Sequence, residues 1–299
     1  MAAQSAPRPV DDLARRLAGL SAVTGLEQQL VDTLLSLVPG SRRDRAGNAV
    51  LSLGAGSSRR LVVCPVDEPG YVVGRVRADG YLTLRRSPGG PSPGRDAQLQ
   101  GQRVSIWTPG GVVPGVVAVR SIHLTRGRDG PSGTFTVDSG LVDVGAGSEA
   151  EVDSIGIRLL APVTLYKRTH RYGKDLLAAP AAGRRSACAA LVVAARRAAA
   201  EQGMIPRRRS VVIAFVVEQE LSGRGLGTIA NSMGPFEETI VVDGGDGTAA
   251  SVAERWPSLG GVVVKSLPVR YAGTPVETVA LSDVERLATE LAAWIGGTR

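Results

Sequence analysis

Histidine and cysteine are nearly missing from this chain, with two of each among 299 residues. The two histidines, His123 and His170, put any centre that needs several imidazoles in difficulty. The two cysteines, Cys64 and Cys188, exclude a disulfide scaffold; each lies in an apolar run and reads as a buried free thiol in a reducing compartment. Aromatic residues make up only 4%, so the core must be built from Val, Leu, Ile and Ala. No stretch reaches the ~18 apolar residues of a membrane span, and the best candidate, Cys188 to Ala200, is cut by Arg196 and Arg197. Asp11, Asp12, Arg15 and Arg16 stand where a secretory leader would need an apolar segment. A cytoplasmic protein without membrane association is the expectation.

What is present is a hydrophobic fraction of 43% against 21% charged residues, which supports a sizeable core and excludes a disordered chain. The length suits one large domain or two ordinary ones. The formal charge is +7. It comes from scattered arginine pairs, among them Arg42-Arg43, Arg59-Arg60, Arg85-Arg86, Arg184-Arg185 and Arg196-Arg197. Nucleic-acid binding needs such charges on one face, commonly with aromatic platforms. With aromatics scarce and no zinc-finger spacing, the arginines read as a solvated surface and no nucleic-acid partner is expected.

Along the chain, Leu26, Leu30, Leu34 and Leu37 recur at helical spacing, so a helix is expected from Glu27 to Val38, behind a shorter one from Asp11 to Leu20. Ala49–Leu53 and Leu61–Val66 read as strands. Tyr71 to Ser121 is a series of short strands (Tyr71–Val76, Tyr81–Arg85, Arg103–Trp107, Val112–Val119) broken by Gly/Pro-rich turns, an all-β block of barrel type. Beyond Ala161 the pattern alternates: helix Ser186–Glu201, strand Ser210–Val217, helix Gly225–Met233, strands Glu238–Asp243 and Gly261–Leu267, and a closing helix Ser282–Ile295 capped by Ser282. The expected fold class is therefore α/β: a mostly parallel central sheet with helices on both faces, residues 1–66 plus 160–299, interrupted by a small inserted β domain over 67–159.

Several segments carry a resemblance. Asp44-Arg-Ala-Gly-Asn48 is similar to a "D-x-x-G-N" turn, and Val66-Asp67-Glu68-Pro69-Gly70-Tyr71 to "M-D-E-V-G-F". Gly101-Gln-Arg-Val104, Gly115-Val116 and Ile122-His123-Leu124 match landmarks of an inserted β domain. Val142-Asp143-Val144-Gly145-Ala146 with Ser148-Glu149 is similar to "I-D-I-G-A-x-S". Pro268-Val-Arg-Tyr271 with Pro275-Val-Glu277 is similar to "P-x-R-Y-x-H-x-P-x-E". In this order, over nearly the whole chain, they resemble the tetrahedral (TET-type) metallo-aminopeptidases, the glutamyl aminopeptidase group often misnamed endoglucanases.

The resemblance implies a two-metal hydrolase: two zinc or cobalt ions sharing a bridging carboxylate, each also held by a His and a carboxylate, with a glutamate activating water. Carried over residue by residue, the first His falls on Pro65, the bridging Asp on Gly183, and the last His on Gly273. The "Q-E-E" segment reads Glu218-Gln219-Glu220, which puts Gln219 at the general-base position. Glu220 and Asp243 match the remaining carboxylate ligands, and Asp67 is kept as a relic. Asp243 to Pro268 is too short for the family's "G-T-D-A"-like substrate loop. Proline and glycine offer no donor to a metal, and an amide is no general base.

No metal and no other cofactor is therefore expected, the alternative being zinc or cobalt in a site rebuilt with Glu218 and Asp246. Glu218, Glu220, Asp243 and Arg184 are the candidate binding residues of the vestigial site. Arg184, beside the lost bridging position, is either a fixed replacement for the metal charge or one more solvated arginine. Gly145-Ala-Gly147 and the run Gly244 to Gly247 read as turns, and no Gly-x-Ser-x-Gly elbow is present. The expectation is a non-catalytic homologue, serving as a binding, structural or assembly subunit. The alternative is a divergent metal-dependent aminopeptidase. As partners, the resemblance implies a homo-oligomer, a dimer or larger, with contacts from an edge such as Val112–Val119 and with a partner protein or catalytic paralogue as a further option.

Overall fold

The structure, a computed structural model, describes residues 9–88, 93–119, 135–200, 205–245, 253 and 255–297. It divides into two compact units: residues up to Glu68 together with those from Arg168 on, and the segment Pro69–Lys167 between them.

In the first unit, helices α1 (Pro9–Ala18) and α2 (Gln28–Leu37) lead into strands β1 (Arg42–Arg43), β2 (Ala49–Gly54) and β3 (Ser58–Pro65). The second unit holds β4 (Tyr71–Val76), β5 (Leu82–Arg86), the one-turn α3 (Pro93–Asp96), β6 (Arg103–Thr108), β7 (Gly111–Val117), β8 (Leu141–Asp143), α4 (Glu149–Ser154) and β9 (Pro162–Leu165). The first unit then resumes with β10 (His170–Tyr172), β11 (Leu176–Ala178), α5 (Ala182–Ala200), β12 (Arg209–Val216), α6 (Arg224–Met233), β13 (Glu238–Asp243), β14 (Gly261–Ser266), β15 (Thr278–Ala280) and α7 (Leu281–Gly296).

The main sheet runs β1-β2-β12-β3-β13-β14. β12, β3, β13 and β14 pair in parallel, while β2 lies antiparallel on β12. Alternation along β3 shows why its apolar run is continuous. Val62 and Cys64 join the core that α1, α2, α5 and α7 cover, whereas Leu61 and Val63 join the core under α6. Both faces are buried, so neither can be polar. A small antiparallel sheet, β10-β11-β15, completes this unit. In the second unit β4-β5-β8-β7-β6-β9 closes into an antiparallel barrel filled by Val73, Leu82, Val104, Ile106 and Val142.

The expected fold class stands; its details change in four places. The boundary at 159/160 falls too early, because Pro162–Leu165 pairs with β4 and β6 and closes the barrel. Likewise Asp67 and Glu68 belong to the first unit, not to the insert. Ser282 is not a cap: the main-chain N–H of Ser282 donates to Asp175 Oδ2 at 2.7 Å, so the turn before β11 caps α7 from a distance in sequence. Finally, α5 begins at Ala182, four residues before the expected Ser186. That shift winds Gly183, Arg184 and Arg185 into its first turn. Among the described residues no helix is long and apolar enough to cross a membrane.

Candidate active site

The carboxyl ends of β3, β12 and β13 converge on the first turn of α5, all within the first unit. In open parallel sheets this is the edge where ligands bind. Directly after β3 come Asp67 and Glu68, both buried. The turn between β12 and α6 carries Glu218, Gln219 and Glu220, and β13 ends on Asp243, which is also buried.

The turn after β12 is clamped by the Asp44–Asn48 segment. Asp44 Oδ1 accepts from the N–H groups of Ala46 and Asn48, and Asp44 Oδ2 accepts from Asn48 Nδ2. Asn48 in turn donates to the Gly225 carbonyl at 2.9 Å and accepts from the Val217 N–H at 3.0 Å. Glu218 sits at φ 55°, a left-handed conformation that only a well-held turn sustains in a residue other than glycine. Its carboxylate is paired with Arg224 through both oxygens.

Two buried arginines dominate the centre. Arg185 is fully buried; it donates to the Val66 carbonyl and meets Glu68 Oε1 at 2.9 Å. Arg184, 7% exposed, donates to the Asp67 carbonyl. Its Nη1 lies 2.9 Å from Glu220 Oε1 and 3.7 Å from Asp67 Oδ1. Gly245 stands between Arg184 and Asp243: a Cβ placed on it would meet Arg184 Nη2 and Asp243 Oδ1 at 3.4 Å each. Positive charge in the first turn of a helix opposes the helix dipole, so these two arginines are held there by carboxylates and carbonyls from the sheet. The reading of the Arg184-Arg185 pair as solvated surface is corrected: the earlier start of α5 turns both side chains inward.

Asp67 Oδ2 is fixed by the Thr24 hydroxyl and the Glu220 N–H, each at 3.0 Å. Glu27, just before α2, accepts from the N–H of Gly25 at 2.9 Å and of Glu218 at 3.0 Å. Burial, with Asp67 nearby, pushes its carboxyl pKa up to about 7. Gln219 is 3% exposed, and neither polar atom of its side chain has a hydrogen-bond partner among the described residues.

The three positions that lack a ligand in the sequence are structural here. Pro65 ends β3. Gly183 packs backbone to backbone on Gly244, and a Cβ built on it would lie 1.9 Å from the Gly244 carbonyl oxygen. Gly273 adopts φ 74°. One carboxylate spans both glycines: Glu277 accepts from the Gly183 N–H at 3.2 Å and from the Gly273 N–H at 2.7 Å. Among the described residues, no three His, Cys, Asp or Glu side chains gather as a metal-binding group. His170 is exposed on β10, and His123 and Asp246 lie outside the described residues.

The structure thus brings Asp67, Glu220 and Arg184 into contact and sets Asp243 close to them. Glu218 turns aside to Arg224. Glu220 lies in the turn after β12, and Asp243 is the last residue of β13. Glu27, Glu68 and Glu277 were not singled out from the sequence. Glu27 reads there as an ordinary first-turn helix residue, whereas Glu68 and Glu277 did lie within quoted motifs.

Against known families, residues 47–265 match the M42 glutamyl aminopeptidase family. The chain belongs to that family.

It is 28% identical over 168 residues to the putative aminopeptidase SgcX of Escherichia coli, covering 54% of this chain and 44% of the relative. Over 158 residues it is 29% identical to a lysyl aminopeptidase of Pyrococcus furiosus, covering 51% and 44%. The alignments thus span under half the length of these curated relatives. In fold it superposes on the TET1 peptidase of Pyrococcus horikoshii with a TM-score of 0.84 at 20% identity, covering 96% of this chain and 99% of the other. These matches overturn the expectation of a non-catalytic homologue: the family is one of aminopeptidases, and both sequence relatives carry that name.

Proposed function

We propose that the chain is an aminopeptidase-class hydrolase whose centre is built on arginine and carboxylates rather than on a pair of divalent metal ions. Membership of the M42 family supports the reaction class. The observation that carries the rest is Arg184 seated between Glu220 and Asp67, where a metalloenzyme of this kind would need a cation. The residues present do not fit a dinuclear metal centre. Gly183 has no room even for a Cβ beside Gly244, so no bridging side chain can stand there. Each surviving carboxylate is already engaged, Glu220 and Asp67 by Arg184 and Asp243 by the Gly245 N–H.

The chain's own groups supply other functions. A buried guanidinium holds positive charge without exchange. One guanidinium set against the two carboxylates Asp67 and Glu220 leaves the cluster an excess of negative charge, which suits the α-ammonium group of a peptide. The free amide of Gln219, buried and unsatisfied, is available to hydrogen-bond a substrate carbonyl or a water. Glu27, with a pKa of about 7, can exchange a proton near neutral pH, where general acid–base catalysis is most efficient. We further propose that the chain self-associates, as the Pyrococcus horikoshii peptidase assembles into a tetrahedron or an octahedral shell.

The test is hydrolysis of a panel of aminoacyl chromogenic substrates before and after chelation, with metal content measured by mass spectrometry. Expected is activity that survives chelation, with far less than one ion per chain. Zinc or cobalt near one ion per chain, with activity lost on chelation, would refute the arginine-centred site. No hydrolysis of any substrate would refute the enzyme reading.

A further inference from the structure

Three consecutive carbonyls at the end of β3 are each taken by a side chain from α5. The Pro65 oxygen lies 3.4 Å from Cys188 Sγ, the Val66 oxygen accepts from Arg185, and the Asp67 oxygen accepts from Arg184. Cys188 stands four residues after Arg184, on the same face of the helix. Opposite it, the last residue before Pro65 is the chain's other cysteine. Cys64 and Cys188 are both fully buried, both free, and their sulfurs are 2.7 Å apart. That is well inside non-bonded contact, since even carbon atoms settle at about 3.5–4.0 Å.

We propose that Cys64 and Cys188 are a disulfide-forming pair that ties the strand end bearing Asp67 to the helix turn bearing Arg184. In forming the bond, each thiol gives up one proton and one electron. A small-molecule disulfide such as oxidised glutathione takes both electrons and both protons and leaves as two thiols. Full burial bars that reagent from the folded core, and burial together with the neighbouring thiol raises the Cys64 pKa, so Cys64 is not readily ionised in the native state. The bond therefore forms while the chain folds or opens, and is then protected. The two residues are 124 positions apart, so the closed loop is long and the constraint on the unfolded chain is large. The inference does not depend on the proposed reaction.

The experiment refolds the full chain in oxidised glutathione, then denatures it in an alkylating reagent and reads the intact mass. Expected is no alkylation and a mass about 2 Da below the reduced chain, with two alkylations after treatment with dithiothreitol. Reduction should lower Tm by about 5–15 °C, and the Cys64→Ala/Cys188→Ala variant should show no redox-dependent shift. Two free thiols after oxidative refolding would overturn the proposal. A glutathione adduct, or a bond between two chains in place of the internal one, would overturn it equally.

Discussion

Replacing Arg184 by methionine removes the buried charge and keeps a long side chain in its place. In the native protein the side chains of Arg184 and Glu220 are 9% and 15% exposed and meet at 2.9 Å. Asp67 Oδ1, fully buried, lies 3.7 Å from the same nitrogen. Breaking a buried pair by deleting one partner typically costs about 3–5 kcal/mol, because the charge left behind has neither water nor counterion. Here two carboxylates lose their cation, while the partial exposure of Glu220 lets water screen one of them. A loss of about 3–4 kcal/mol at pH 7 is therefore expected for Arg184→Met. The deficit should shrink as the pH falls through the carboxylate range, since protonating either acid removes the uncompensated charge. Adding Glu220→Gln to the variant should recover at least about 1 kcal/mol relative to the sum of the single changes. Urea unfolding at several pH values, followed by far-UV circular dichroism, measures all three. A loss below about 1 kcal/mol at pH 7, or a deficit that does not change down to pH 4, would refute a charge-neutralising role for Arg184.

Glu27→Gln gives a second pH signature. The folded-state pKa of Glu27 is about 7 against an ordinary 4.5, so the folded state binds the extra proton in that window. Wild-type stability relative to the variant should then fall by about 3 kcal/mol as pH rises from 4 to 8; a difference independent of pH sinks it. Gly183→Ala forces a Cβ to 1.9 Å from the Gly244 oxygen, so the backbone must shift and stability should drop by about 2–4 kcal/mol in thermal unfolding. A neutral result would show that α5 can slide away from β13. In the barrel β7 has β6 on one side and β8 on the other, so it offers exposed side chains rather than the sheet edge expected at Val112–Val119; Val112 and Val116 are about half exposed. Light scattering at micromolar concentration should find a dimer or larger species, diminished by Val112→Glu/Val116→Glu; a wild-type monomer counts against assembly.

The sequence by itself determined the architecture. Short runs bounded by Gly/Pro-rich turns marked the barrel strands, the leucine spacing before Val38 marked α2, and the short apolar runs at Leu61–Val66 and Ser210–Val217 read as strands. These are local patterns, repeated by every residue of an element, so one irregular position does not erase them. Sequence order also placed Asp67, Glu220, Asp243 and Arg184 at motif positions. What it missed were contacts between distant segments. β9 is four residues long and is a strand only because β4 and β6 flank it.

The functional reading went astray for a related reason. Missing histidines, a missing bridging aspartate, the amide of Gln219 at the base position and a shortened Asp243–Pro268 segment describe what a metallo-aminopeptidase site lacks, and from those lacks an inert protein followed. Only the tertiary structure decided where the arginines went. Four further residues at the start of α5 separate a solvated Arg184 from one buried among Asp67, Glu220 and the carbonyls after β3. Helix starts are set by caps and packing partners that lie far away in the chain. The charge of a buried site is a sum over such partners, and no window of sequence contains them all.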